Sequence, residues 1–285
     1  MKTIEFTVSP KEEMSLLNFL AIKLDISKKK AKDLLNARNV FVNRRRIWMA
    51  RHSLKRGDKV GILQPTVTSG TIDRLAVQAR HERFTILFQD DDYIIVDKKA
   101  GILSNGMNSV EDHLRAQLGL PHLTAAHRLD RDTSGCFLLA KNVRAFENVF
   151  LLFHGRCMKK TYHAIVAGRL TPPMQTIITP LEGRRAVTRI KALDSSAEAS
   201  HLLVEIETGR THQIRKHLVS IHHPVLGDKY YGTKTPVAYK TLNIPRQMLH
   251  ASGLEFDHPT TGRKVKANSP LPRDFCNCLA MFRLM

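Results

Sequence analysis

Beyond Phe84 the chain is a succession of short apolar, β-branched runs separated by turn signals, and no other feature constrains its fold as much. Strands are expected at residues 85–88 and 93–97, joined by the acidic turn Asp90-Asp91-Asp92 and followed by a Lys98-Lys99-Ala100-Gly101 turn. Others follow at 136–140, 161–167, 186–193 and 201–206. Helical spacing is confined to 110–118 and 213–221, the latter preceded by Thr208-Gly209-Arg210-Thr211. Strands and helices mix without regular βαβ alternation. The expected fold class is therefore α+β, on a mainly antiparallel mixed sheet.

A different texture precedes it. Residues 1–65 hold 15 Lys and Arg against 6 Asp and Glu, so a small part of the 285-residue chain carries almost half of its +19 net charge. A first helix is expected at 16–24, and Ser27 is placed to cap a second at 28–37 with Ala31, Leu34 and Leu35 facing inward. Residues 40–43 form a strand candidate entering a turn, and Gly57-Asp58 turns the chain into another at 60–63. Lys28, Lys29, Lys30 and Lys32 then lie at the start of the second helix, and Arg44, Arg45 and Arg46 in the turn. Cations at a helix N-terminus cost it about 0.3–1 kcal/mol each. A cluster there points to an external polyanion, and these seven residues are the expected phosphate contacts. Residues 66–83 have weak periodicity and read as a linker. The expected organisation is a small basic domain over 1–65, a linker over 66–83 and a larger domain over 84–285.

Composition and absent motifs narrow the chemistry. Hydrophobic content of 42% and charged content of 25% suit a folded soluble protein, and the longest apolar run, residues 149–153, is far too short to span a bilayer. With no apolar signal core at the start, the chain is read as cytoplasmic. Four cysteines without CxxC spacing point to free thiols rather than a disulfide scaffold or zinc. No nucleotide-binding glycine motif, HExxH helix or Gly-x-Ser-x-Gly elbow is present. His222-His223, and His212 with His217, lack a third ligand at sensible spacing, so no metal and no cofactor are expected.

What remains is His127-Arg128-Leu129-Asp130-Arg131-Asp132-Thr133-Ser134-Gly135, just before a strand. A carboxylate flanked by guanidinium groups favours its ionised form and suits a nucleophile or base. The same residues equally suit a turn in which Asp and Ser satisfy backbone N–H groups, and composition leaves the two readings level. A second dense segment, Thr208-Gly209-Arg210-Thr211-His212-Gln213-Ile214-Arg215-Lys216-His217, places Arg210 and Arg215 about a helix start where a polyanion can bind. Gly227-Asp228-Lys229-Tyr230-Tyr231-Gly232 follows it.

Together these segments resemble the RluA-type pseudouridine synthase family. Its HRLD-x-x-T-S-G and TGRTHQIR-x-H motifs are matched at every fixed position, and Arg156 with Lys160-Thr161-Tyr162-His163-Ala164 matches its K-x-Y-x-A strand. Leu249-His250-Ala251, His258-Pro259-x-Thr261-Gly262 and Pro270-Leu271-Pro272 match its closing pattern, so the resemblance runs from 84 to 275. One departure is Lys98-Lys99-Ala100-Gly101 in place of Lys-Pro-Ala-Gly, followed by Ser104-Asn105-Gly106 instead of His-Pro, in a loop expected to touch RNA. Residues 1–65 resemble the S4-like RNA-binding domain, with Asn18 and Asn39 replacing its usual Asp and Gly.

The resemblance implies cofactor-free isomerisation of uridine to pseudouridine in RNA. Asp130 is then the essential aspartate, Arg215 its partner, and Tyr162 the ring that stacks on uracil and helps deprotonate carbon 5. Arg128 fills the space the flipped base leaves, Arg131 joins it as an RNA contact, and Leu129 and Ile214 wall the pocket. The N-terminal module favours large-subunit ribosomal RNA as the substrate. Alternatives are tRNA, or a catalytically silent RNA-binding ribosome-assembly factor. A monomer is expected.

Deleting residues 1–65 is expected to weaken RNA binding and flatten its salt dependence, by about 0.9 in the log–log slope for each phosphate the missing module would have neutralised. Binding titrations across salt concentrations check this, and an unchanged slope contradicts the assignment of the basic clusters.

Overall fold

The computed structural model describes residues 2–10, 12–36, 40–43, 45–47, 49–50, 52–64, 84–106, 108–155, 157–232 and 242–284. Asn39, Arg44, Arg51, the 66–83 linker and Arg156 lie outside the described residues. The chain divides into two compact units, Met1–Arg80 and His81–Met285.

In the first unit the strands β1 (Lys2–Thr7), β2 (Val40–Val42), β3 (Arg45–Arg46) and β4 (Lys59–Gln64) form an antiparallel sheet in the order β1-β4-β2-β3. Helices α1 (Leu16–Lys23) and α2 (Lys28–Asn36) pack Leu16, Phe19, Leu20, Ala31 and Leu35 against Val40, Val60 and Ile62. Ser27 caps α2 by accepting a hydrogen bond from the Lys30 amide at 3.2 Å. Lys28, Lys29, Lys30 and Lys32 are all exposed around the first turns of this helix. Asn43 takes the left-handed conformation the turn requires, at φ 51°. Its side chain fixes the turn by donating to Asp58 at 2.8 Å and accepting from the Lys59 amide at 2.9 Å.

The second unit is built on one large mixed sheet, with strand order β10-β11-β12-β9-β13-β8-β6-β5. These are β5 (Thr85–Gln89), β6 (Tyr93–Lys98), β8 (Ser134–Ala140), β9 (Lys159–Ala167), β10 (Met174–Ile177), β11 (Thr188–Ser195), β12 (Ala199–Ile206) and β13 (Leu249–Asp257). Short β7 (Thr124–Ala125) pairs with β8, and β14 (Lys264–Asn268) pairs with β13. All pairings are antiparallel except β8 with β13, which is parallel. The fold class is α+β, as the sequence texture implies.

The central strands read as unbroken apolar runs because both faces of the sheet are covered. Ile94, Val96, Phe137 and Leu139 enter one core with α3 (Val110–Leu118) and the face of α5 (Gln213–Ser220) that carries Ile214 and Leu218. Tyr93, Ile95, Cys136 and Leu138 enter another with α4 (Val143–Gly155). The apolar run at 149–153 lies in α4, where Val149 is buried and Leu151 is 67% exposed. A last helix, α6 (Arg273–Met281), adds Phe275 to the first core.

The parallel contact of β8 and β13 is close. Gly135 sits there at φ 112°, and a Cβ on it would come within 2.1 Å of the Ala251 carbonyl oxygen. Only glycine satisfies both the backbone and the space. This is the physical reason for the glycine that ends the first dense motif. It also sets where the preceding loop leaves the sheet.

Candidate active site

Between β7 and β8 the chain runs as a loop, residues 126–133, and Asp130 is at its turn. The Thr133 amide donates to the Asp130 carbonyl at 3.1 Å. Polar groups from three other segments clamp this loop. Lys98, fully buried, donates its ammonium hydrogens to the carbonyls of Lys99, Arg131 and Thr133 at 3.0, 2.9 and 2.8 Å. The Ser104 hydroxyl accepts from the Leu129 amide at 2.9 Å and donates to the Leu129 carbonyl at 2.8 Å. Arg246 donates to the Asp132 carbonyl at 3.1 Å, and Gln247 to the Thr133 hydroxyl at 2.7 Å. A loop whose carbonyls from Leu129 to Thr133 all have donors cannot slide without losing several bonds at once.

Asp130 meets its partner from the start of α5. The Arg215 guanidinium donates through Nη1 to Asp130 Oδ2 at 2.7 Å. Through Nε and Nη2 it also grips both oxygens of Asp228, at 2.6 and 2.8 Å. The Asp228 side chain is 0% exposed and that of Arg215 3%, whereas Asp130 keeps 21% open to the cleft. Burial pushes the Asp228 carboxyl up, but hydrogen bonds from Arg215 and from the Tyr231 and Tyr230 amides outweigh it and leave it below the usual carboxylate range. Burial works against the Arg215 charge too, and the two carboxylates reverse that effect. Gly227, at φ 73°, brings Asp228 in: a Cβ there would lie 2.0 Å from the Arg246 carbonyl oxygen.

The turn before α5 is locked by Gln213. Its buried side chain accepts from the Thr208 hydroxyl at 2.7 Å and the Arg210 amide at 3.0 Å, and donates to the Val187 carbonyl at 2.9 Å. His212 follows with a left-handed backbone, φ 54°. This turns its ring so that Nδ1 is 3.0 Å from the Tyr231 hydroxyl and Nε2 is 3.7 Å from Asp130 Oδ1.

These groups line a cleft of about 370 Å³, within the range that holds small ligands. Tyr162 on β9 forms part of its wall, 7% exposed. Burial, assisted by the Asp130 charge, raises its phenol above the ordinary tyrosine value, so at neutral pH it is a neutral O–H. Leu129 and Ile214 are buried wall residues, as their types suggest. Arg128 stands exposed at the rim.

Asp130, Tyr162, Arg215 and Arg128, far apart in sequence, are thus brought to one cleft. Arg131 stands beside it as an exposed side chain whose Nε donates to the Gly101 carbonyl at 2.9 Å, while the Gly101 amide returns a bond to the Arg131 carbonyl. The Lys98–Gly101 loop departs from its expected role at Lys98, which is buried beneath the Asp130 loop as a brace; Lys99 is exposed. Ser104, in the other departure, belongs to the same clamp. His212 was visible in the sequence as a position of the second motif, and Asp228 only in the segment that follows it. Their fixed spacing from Arg215 was the available signal. His217 spends its ring on Thr188 and the Thr179 carbonyl, and His223 on the Ala167 carbonyl. Among the described residues, no three His, Cys, Asp or Glu side chains are grouped to hold a metal ion.

Comparison with known proteins identifies a family. Residues 92–220 match the family model described as RNA pseudouridylate synthase. The chain is 34% identical over 229 residues to the ribosomal large subunit pseudouridine synthase D of Pseudomonas aeruginosa, covering 70% of this chain and 71% of that one. It is 32% identical to the RNA pseudouridine synthase YhcT of Bacillus subtilis, over 96% of this chain and 95% of that one. Among solved structures, human RNA pseudouridylate synthase domain containing 4 superposes with a TM-score of 0.60 at 24% identity, over 70% of this chain and 94% of that one, which speaks for the fold.

Asp228 carries the buried end of the ion network, so Asp228→Ala is expected to cost about 3 kcal/mol of folding stability by leaving Arg215 under-paired. Urea unfolding checks this; a loss below about 0.5 kcal/mol would mean that Asp130 alone suffices for Arg215.

Proposed function

The chain belongs to the RNA pseudouridine synthase family, and we propose that it isomerises uridine in large-subunit ribosomal RNA with Asp130 as the essential carboxylate. One observation carries this reading: Asp130 is held by Arg215 at the floor of a nucleoside-sized cleft with one carboxylate edge open to it. The substrate class follows relatives from Pseudomonas aeruginosa, Nitrosomonas europaea and Vibrio cholerae, each named for the large ribosomal subunit.

Substrate and product have the same atoms, so the reaction needs no co-reactant. The bond from N1 to ribose C1′ breaks, the uracil turns, and C5 bonds to C1′; C5 gives up its proton and N1 gains one. The target nucleotide must leave its stack to reach Asp130, at a cost of a few kcal/mol. Arg128 is placed to fill the gap, since its guanidinium makes no hydrogen bond or ion pair with any described residue. Arg131 contacts RNA from beside it. Tyr162 stacks on the uracil and guides the late loss of the C5 proton. Arg215 orients Asp130, with Asp228 and the Tyr231 ring, 5.0 Å away, fixing the guanidinium plane.

The exposed lysines of α2 support reading the first unit as an S4-like grip on the RNA phosphates, with Arg44, Arg45 and Arg46 assigned to it from the sequence alone. The enzyme proposed here works as a monomer in the cytoplasm. No helix among the described residues is long and apolar enough to cross a membrane.

Asp130→Asn and Asp130→Ala are expected to lower pseudouridine formation on ribosomal RNA transcripts by more than about 1,000-fold, while RNA affinity stays within about threefold. Undiminished isomerisation by either variant overturns the role of Asp130.

A further inference from the structure

Strand β9 alternates, and the side chains of Lys160 and Tyr162 share its cleft-facing side. Lys160 is only 6% exposed. Its ammonium makes no hydrogen bond or ion pair with any described residue, and its near contact is the Phe153 ring, whose centre is 5.6 Å away. Burial alone pushes its pKa down to about 8. A lysine buried without a counter-ion is a standing cost to the fold. The other buried cations nearby have spent their charge: Arg215 on Asp130 and Asp228, and Arg246 on Asp274. Arg128 and Arg210 also line the cleft, but at its more exposed edge.

The assigned reaction creates an anion in this space. Asp130 can bond to C1′, add to the uracil ring, or remove a ribose proton. In each case the electron pair moves onto the ring, and negative charge spreads over its nitrogen and carbonyl oxygens until C5 bonds to C1′. A phosphate would be met by the exposed arginines at the rim. A uracil lying between Tyr162 and Phe153 would meet the Lys160 ammonium, which opens on the cleft. We propose that Lys160 is a catalytic residue that contacts the flipped uracil and holds the negative charge the ring carries between the breaking of one bond and the making of the next. This rests on reading the cleft as the pseudouridine site. Lys160 keeps its proton throughout, so no further proton transfer is added to the reaction.

Tritium release from [5-³H]uridine-labelled RNA, taken from cells lacking the enzyme, reads the reaction directly under single-turnover conditions with the full-length protein. Lys160→Met is expected to slow release about 100-fold or more, the loss typical of removing one preorganised group facing a developing anion. Its RNA affinity stays within about twofold, because the missing interaction belongs to the transition state. Lys160→Arg, which keeps the charge, stays within about tenfold of the wild type. The charged form is the working one, so the wild-type rate falls as pH rises through about 8. Asp130, Glu207, Arg128, Arg210, Arg215, three histidines (127, 154 and 212) and the Tyr162 phenol also face this space. All remain in Lys160→Arg, so an alkaline limb that disappears in that variant belongs to Lys160.

The proposal is overturned if Lys160→Met keeps its rate within about threefold, or loses rate only in proportion to RNA affinity, which would make Lys160 a phosphate contact. A limb unchanged in Lys160→Arg overturns it too, and that variant decides the matter if Lys160→Met fails to fold. No release by the wild type overturns the reading of the cleft itself; equal release by wild type and Lys160→Met overturns Lys160 alone.

Discussion

Arg215 is buried, and its guanidinium is divided between two carboxylates from different parts of the chain: Asp228 takes Nε and Nη2, and Asp130 takes Nη1. Burying a cation of this kind is tolerable only because both partners are in place, and burying Asp228 is tolerable for the same reason. The division of labour is asymmetric. Asp228 is fully enclosed and also accepts from the Tyr230 and Tyr231 amides, so it anchors the arginine. Asp130 keeps an open edge. A carboxylate oriented in this way has little freedom left to lose when the substrate arrives, which is what catalysis by positioning requires.

The fold sustains that arrangement through backbone contacts. Lys98, Ser104, Arg246 and Gln247 hold the carbonyls, amide and hydroxyl of the Asp130 loop, and Gln213 does the same for the turn leading to Arg215. Gly135 and Gly227 allow the close approaches that put the two acidic residues within reach of one guanidinium. Positive charge is graded across the protein accordingly. Exposed lysines on α2 and Arg128 at the cleft rim face solvent, while Arg215 and Lys160 lie within the cleft proposed to handle the base.

Much of this was legible before any coordinates. Strands β6 and β8 announce themselves because both faces of the sheet are covered and no polar residue interrupts the run. Helix α3 covers the 110–118 span that the spacing predicts; the structure shows its ends set by Ser109, which accepts from the Asp112 amide, and by Gly119 at φ 64°. The motif segments named Asp130, Tyr162 and Arg215, which do share a cleft. Other features depend on long-range geometry. The parallel pairing of β13 with β8 joins Ala251 to Gly135, and nothing local in either strand specifies the partner. Helix α4 was seen only as an apolar run, since its exposed Phe150 and Leu151 blur the helical stripe. Lys98 reads as a surface loop lysine until the fold shows three buried carbonyls converging on it. Lys160 was visible as a motif position, but its missing counter-ion is a property of the packed cleft.

In the proposed function the Arg215-held Asp130 carboxylate makes pseudouridine in large-subunit ribosomal RNA. The most direct measurement is a transcriptome-wide pseudouridine map of cells lacking the gene, complemented with either the wild-type chain or Asp130→Ala. The account predicts that one or more large-subunit uridines lose the modification on deletion and regain it with the wild type alone. A map unchanged by deletion, losses confined to tRNA, or restoration by Asp130→Ala would contradict it.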